Sequence, residues 1–265
     1  MLTSTIKDLL HLRSRNKMGT DDVCVPKNAD IVPSMAMDTT MNDKASSMAS
    51  TMQSSTSPTV IELFQSQGCS SCPPANDNVI ALADDQDKLV LTYEVTYWDY
   101  LGWPDTFANK AWDQRQRDYA AAVKTKRVYT PQVIVNGVSA GVGSRKSDLQ
   151  SLIRSGEAAP LASSASIDVS ESRNQITVTG PSNTRGIVQL VLYDPRNQNV
   201  AIPRGENTGR NLPYHNIMTD LIVLGSWDGG KMQFPLPEIK LGKGLKAAIV
   251  VQGGQGGPII AAAKI

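Results

Sequence analysis

Cysteine and histidine are scarce: the 265 residues hold three of one and two of the other. Three cysteines cannot make a disulfide framework. The histidines, His11 and His215, lie far apart, so a four-ligand zinc site of the usual kind has too few ligands. An excess of one charge is also missing. The net charge is +1, so no global field draws the chain to nucleic acid or to anionic lipid. No apolar run approaches the roughly 20 residues that span a bilayer. The opening "MLTSTIKDLLHLRSRNKMG" has no signal-peptide apolar region or small-residue cleavage site and is read as a tail.

Residues 1–57 read as a disordered leader. "VPSMAMDTTMNDKASSMASTMQSSTSP" is rich in Ser, Thr and Met and buries too little apolar surface to offset its ordering entropy. It holds Met35, Met37, Met41, Met48 and Met52, thioethers of a kind that can bind Cu(I). Cys24 lies in the same leader as a spare thiol.

Order begins with "TVIELF", residues 59–64, a short β-branched strand behind Pro58. The loop "SQGCSSCPPAND" follows, with Cys69 and Cys72 two residues apart. "PPANDNVIALADDQ" predicts a helix with proline in its first turn. "KLVLTYEVTYW" predicts a second strand, and "DTFANKAWDQRQRDYAAAVKTK" a helix with Trp112, Arg115 and Tyr119 near one face. "PQVIVNGVSAGVG" reads as a hairpin turning at Asn136-Gly137, and "SRKSDLQSLIRSG" as a helix capped by Ser144 and stopped by Gly156. This order predicts an open α/β sheet over 58–156 with helices on both faces. Residues 157–164 read as a linker. Residues 165–265 read as about seven short strands without a long helix, the pattern of an all-β sandwich. The glycine-rich "VVQGGQGGPI" lacks the Lys-Ser/Thr of a phosphate loop and reads as a turn.

A C-x-x-C between a strand and a helix favours redox chemistry. Helix N-terminal N–H groups stabilise a thiolate, and the spacing lets the two sulfurs bond. Cys69 is expected to be the exposed nucleophile and Cys72 the resolving thiol. The alternatives are a copper or zinc site using Cys69, Cys72 and His215 or the leader methionines, and a redox-inactive pair. Thr130-Pro131, at the start of a strand, marks a tight bend.

These residues resemble the thioredoxin fold. More narrowly, "VIELFQSQGCSSCPPAN", "YWDYLGWPDTFA", "VYTPQVIVNG" and "IPRGENTGRNLPYHNI" are similar to a thioredoxin-like family of unknown function. Its members are mostly bacterial and often labelled secreted proteins. The resemblance covers residues 59–265. It implies an α/β thioredoxin-like domain followed by an all-β sandwich domain, a thiol centre at Cys69 and Cys72 with Thr130 and Pro131 offering backbone to a substrate, and a secreted or periplasmic setting. Family members commonly carry Asp where Thr96 stands. The implied function is thiol–disulfide exchange with protein or small-molecule thiols, with the redox-active disulfide as the only cofactor.

Two further stretches are candidates for the cleft. "YWDYLGWPD" packs Tyr97, Trp98, Tyr100 and Trp103 together in a chain only 5% aromatic, with Asp99 as a proton acceptor or cap. "RGENTGRNLPYHN" gathers Arg204, Glu206, Asn207, Arg210, Tyr214, His215 and Asn216. This polar loop is expected to fold over Cys69, where Arg204 or Arg210 can stabilise a thiolate or grip a carboxylate.

Overall fold

The architecture is taken from a computed structural model that describes residues 57–160, 164–238 and 244–265. The expectations for the leader, its methionines, His11 and Cys24 lie outside the described residues.

The strand–helix order of the first half is as expected, with shorter elements. Strand β1 (Thr59–Gln65) leads through the cysteine loop into α1 (Pro73–Ile80). Strand β2 (Lys88–Glu94) lies parallel to β1, and α2 (Lys110–Ala122) follows it. Helix α2 starts late because Asn109 caps it, its side chain accepting from Ala111 N. Strands β3 (Gln132–Val135) and β4 (Ser139–Gly141) form the hairpin. Asn136 and Gly137 both take positive φ, 48° and 69°, which matches a tight hairpin turn to the twist of its strands. Helix α3 (Lys146–Glu157) closes this part. Ser144 does not cap it: the residue at the cap is Arg145, whose side chain makes no capping bond. Gly156 lies inside the helix, where a side chain would collide with Val135.

The second half contains β5 (Ser166–Ser170), β6 (Gln175–Gly180), β7 (Gly186–Asp194), β8 (Gln198–Ala201), β9 (Asn211–Tyr214), β10 (Ile217–Trp227), β11 (Gly230–Pro235), β12 (Lys246–Gln252) and β13 (Ile259–Lys264). These strands do not build a separate sandwich, and the expected α/β thioredoxin-like domain followed by an all-β domain is overturned. One mixed, eight-stranded sheet runs through both halves in the order β13-β12-β7-β10-β2-β1-β3-β4. Strands β11-β6-β5 form a second sheet, and β8-β9 a two-stranded ribbon. The molecule is mostly β, with three short helices among the described residues.

The joint is the β2–β10 pairing, where Ile217 sits opposite Thr92. Thr92 N donates to Asn216 O at 3.0 Å, and Asn216 Nδ2 donates to Val90 O at 2.9 Å. The free edge of β2 would otherwise expose unpaired backbone groups. Residues of the second half satisfy them. The core explains why a sandwich fails. Along β7, Val188, Leu190 and Leu192 face a cluster with Ile176, Val178 and Trp227. The alternate residues Val191 and Tyr193 face a cluster with Tyr93, Trp112 and Tyr119. A strand covered on both faces is an inner strand of a large layered sheet. On the other side of β1, α1 and α3 bury Ala75, Val79, Leu149 and Ile153 against Ile61, Leu63 and Val133.

Candidate functional site

The cysteine loop lies where β1 ends. Cys69 and Cys72 are joined as a disulfide, with their Cα atoms 5.5 Å apart. Cys72 N donates to Cys69 O at 3.2 Å, which closes the turn, and Cys72 itself stands at the N-cap of α1. The helix N-terminus therefore lies at the second cysteine, not the first. Cys69 was expected to be exposed. It is buried, at 1% of its full exposure, and Cys72 at 2%, while Ser70 and Ser71 between them face solvent.

The cover comes from the second half. The ribbon β8–β9 packs Ile202, Leu212 and Tyr214 against Trp103 and Phe107, and its tip carries Glu206 and Asn207 to the loop. Asn207 is 1% exposed, and its Nδ2 donates to both Gln67 O and Cys69 O at 2.9 Å. Glu206 Oε2 accepts from Ser70 N at 3.1 Å. Hydrogen bonds from the Ser70 hydroxyl and backbone hold the Glu206 carboxyl below its ordinary range. Arg210 Nη1 donates to Asn207 Oδ1 at 3.1 Å, so it braces the amide and does not face a sulfur. Arg204 is exposed on the same tip.

Thr130-Pro131 also reaches the loop. The peptide bond is cis, and Ser71 Oγ lies 3.5 Å from Thr130 O. Trp98 Nε1 donates to Thr130 Oγ1 at 2.7 Å, tying the aromatic stretch to this bend. Tyr100 stacks on Trp98 with centroids 6.3 Å apart and is itself exposed. Two other candidates have structural work. Tyr97 donates to Gln116 Oε1 at 3.1 Å, and burial pushes its hydroxyl up to about 12. Asp99 Oδ1 accepts from Asp105 N at 3.0 Å as a loop cap. Thr96 bonds Asp113 through its backbone N–H and its hydroxyl, at 2.8 and 2.7 Å.

His215 is not brought to the cysteines. Its Nδ1 is 2.6 Å from Asn197 Oδ1, and it lines a separate cavity with Lys88, Lys246 and Lys264. Among the described residues no group of three or more His, Cys, Asp or Glu is placed to hold a metal ion. The cysteines and His215 thus do not form a ligand set together.

The residue reading missed a polar network beneath the disulfide. Cys72 lines a narrow cavity with Gln65, Asn76 and Tyr214. Gln65 Nε2 bridges Asn76 Oδ1 at 2.8 Å and Glu94 Oε1 at 2.9 Å. Glu94 is fully buried, and its Oε2 faces no donor. Burial, and then the neighbouring Asp105 carboxyl, push its acid well above the ordinary range. Asp105 accepts from Gln67 N at 2.6 Å and Phe107 N at 2.9 Å, so it is the better hydrogen-bonded of the two carboxyls. The available signal was a lone carboxylate inside the apolar strand "KLVLTYEV". Chemically, the arrangement offers a disulfide, a buried carboxyl linked toward it through Gln65 whose acid is held above its ordinary range, and a polar cover.

The family model described as "Protein of unknown function (DUF1223)" matches residues 60–252, well over half of the chain. Two solved structures are similar. A crystal structure of a protein from Agrobacterium tumefaciens is 28% identical with a TM-score of 0.66, covering 78% of this chain and 93% of that one. HBP35 of Porphyromonas gingivalis is 12% identical with a TM-score of 0.51, covering 79% of this chain and 75% of that one, a likeness of fold alone. No curated protein matches.

Proposed function

The chain belongs to the DUF1223 family, and on that premise we propose that it is a thiol–disulfide oxidoreductase with Cys69 as nucleophile and Cys72 as resolving thiol. The finer likeness, to thioredoxin-like proteins with a CSSCPP motif, is proposed for this site alone. The observation that carries the reading is the Cys69–Cys72 disulfide in the turn before α1, within reach of Thr130 through Ser71. From the dithiol, the Cys69 thiolate attacks a substrate disulfide and one substrate sulfur leaves, taking a proton. Cys72 then attacks the Cys69 sulfur of the mixed disulfide and releases the second substrate thiol. Two electrons and two protons pass to the substrate, and the Cys69–Cys72 bond forms.

A second reading, a redox-inactive binding protein, is favoured by the burial of Cys69. One experiment separates them. The full chain is equilibrated in glutathione buffers with chelator present, and the state of each cysteine is read by alkylation and mass. Turnover of hydroxyethyl disulfide is measured beside it. Reversible equilibration, and turnover lost in Cys69→Ser, support the oxidoreductase. A disulfide that never exchanges supports the inactive reading.

A further inference from the structure

We propose that Glu206 is a positioning residue that raises the proton affinity of the Cys69 thiol and makes the couple a weaker oxidant than its loop alone would be. The inference rests on the thiol-exchange reading and adds which way the couple leans. A thiolate at Cys69 needs N–H donors and positive charge around it. The N–H that follows it in the chain, on Ser70, is already committed to Glu206 Oε2 at 3.1 Å. Cys72 N is likewise committed, to Cys69 O. The same carboxylate brings a negative charge to the mouth of the site. Its backbone is held at the loop, because its neighbour Asn207 is buried and bonded to the carbonyls of Gln67 and Cys69.

The reduction in question is protein disulfide plus two glutathione thiols giving protein dithiol plus glutathione disulfide. Anything that disfavours the thiolate of the product dithiol disfavours reduction wherever that thiolate is populated, so the potential falls. The other charged groups around the loop are few. Asp105, at Gln67 N, acts in the same sense when ionised. Arg210, at Asn207 Oδ1, and Arg204, on the same tip, act against it. From the Thr130 side the group that meets the loop is an uncharged carbonyl, and the Thr130 hydroxyl is taken by the Trp98 indole. Glu206 is the group whose carboxylate bonds the residue next to Cys69.

The test uses the full chain, reduced with a phosphine. The pH dependence of Cys69 alkylation by iodoacetamide is followed by peptide mass, which separates it from Cys24 and Cys72. Glu206→Gln keeps an acceptor for Ser70 N–H and removes the charge. Glu206→Ala removes both. The Cys69 pKa is expected to fall by about half to one unit in Glu206→Gln, and further in Glu206→Ala. The difference should shrink in 1 M salt, where the Debye length is about 3 Å. A one-unit fall is a tenfold rise in the glutathione equilibrium constant at a pH above both values, about 30 mV. An unchanged or raised Cys69 pKa in both variants overturns the proposal. A purely structural role would move only the melting temperature. If the wild-type disulfide never equilibrates with glutathione, the oxidoreductase reading fails, while the alkylation profiles still decide the role of Glu206.

Discussion

Asn207 donates from Nδ2 to the carbonyl of Cys69 at 2.9 Å across 138 residues of sequence. With the Gln67 carbonyl bonded at the same length, one amide fastens the β8–β9 tip over the disulfide. The second half of the chain is therefore part of the cysteine site, as well as a continuation of its sheet.

Replacing Asn207 with Ala should open that cover. The buried Gln67 carbonyl loses its donor, at a cost of about 1–3 kcal/mol before solvent enters, while the Cys69 carbonyl keeps the bond from Cys72 N. We expect a lower melting temperature and a reduction of the Cys69–Cys72 bond by dithiothreitol that is faster by about tenfold, the factor a 1.4 kcal/mol fall in the opening cost gives. Stopped alkylation followed by mass measures the rate. Asn207→Asp, which keeps size but loses the donor, should behave alike. An unchanged rate in both would show that the tip does not limit access.

Glu94 predicts a pH dependence of stability. Its acid is raised in the folded chain above its ordinary value of 4.5, by burial first and by Asp105 second. Between that value and the folded one, the unfolded state releases a proton that the folded state keeps. Fewer protons bound in the unfolded state means stability falls as pH rises. The loss should begin just above pH 4.5 and level off once the folded group ionises. Asp105, also raised, contributes in the same sense. Urea denaturation of wild type at a series of pH values from 5 to 8 should show this fall. Glu94→Gln should flatten most of it and be the more stable chain at pH 8.

Much of the local order was legible. The β-branched run "TVIELF", the prolines in the first turn of α1 and the Asn136-Gly137 turn each carry a signal within a few residues. Membership of a sheet carries none. Strand β10 could pair with any exposed edge, and its bond to β2 rests on Asn216 meeting Val90 and Thr92. Two-sided burial of β7 and β12 was written in "GIVQLVLYDP" and "KAAIVVQG", where apolar residues fall on both faces. At the site, the polar "RGEN" stretch carries Glu206, which accepts from Ser70 N. The burial of Cys69 was hidden, because it depends on a loop far along the chain.

The turn between β12 and β13 yields a paired test. Gly256, at φ 67°, faces the backbone of Asp118 and Tyr119 so closely that a side chain would overlap the carbonyl of Asp118. Gly254, at φ 86°, has nothing within 4 Å of the same position. Gly254→Ala should cost only the conformational penalty, about 1–2 kcal/mol. Gly256→Ala should cost more, because α2 must also move. Equal losses in chemical denaturation would mean that this turn does not brace α2.

Glu62 and Arg115 tie β1, α2 and β12 together in the core. Arg115 Nε donates to Glu62 Oε1 at 2.7 Å, and the side chains are 10% and 1% exposed respectively. Tyr119 donates to the other Glu62 oxygen, and Arg115 Nη2 reaches the Tyr119 hydroxyl at 3.2 Å. Arg115 Nη1 reaches Gln252 Oε1 at 3.3 Å, and the guanidinium lies 5.5 Å from the Tyr93 ring centre. A buried pair of this kind adds little beyond an apolar pair of the same volume, yet breaking it strands a charge. Arg115→Met should therefore cost about 3–5 kcal/mol. Combining it with Glu62→Gln should restore much of the loss, since no charge then remains buried. Urea denaturation of the wild type, both single variants and the double variant closes the cycle. A large positive coupling is expected. Additive losses would mean that the packing of the Arg115 stem against Tyr93, not the ion pair, holds α2 to the sheet.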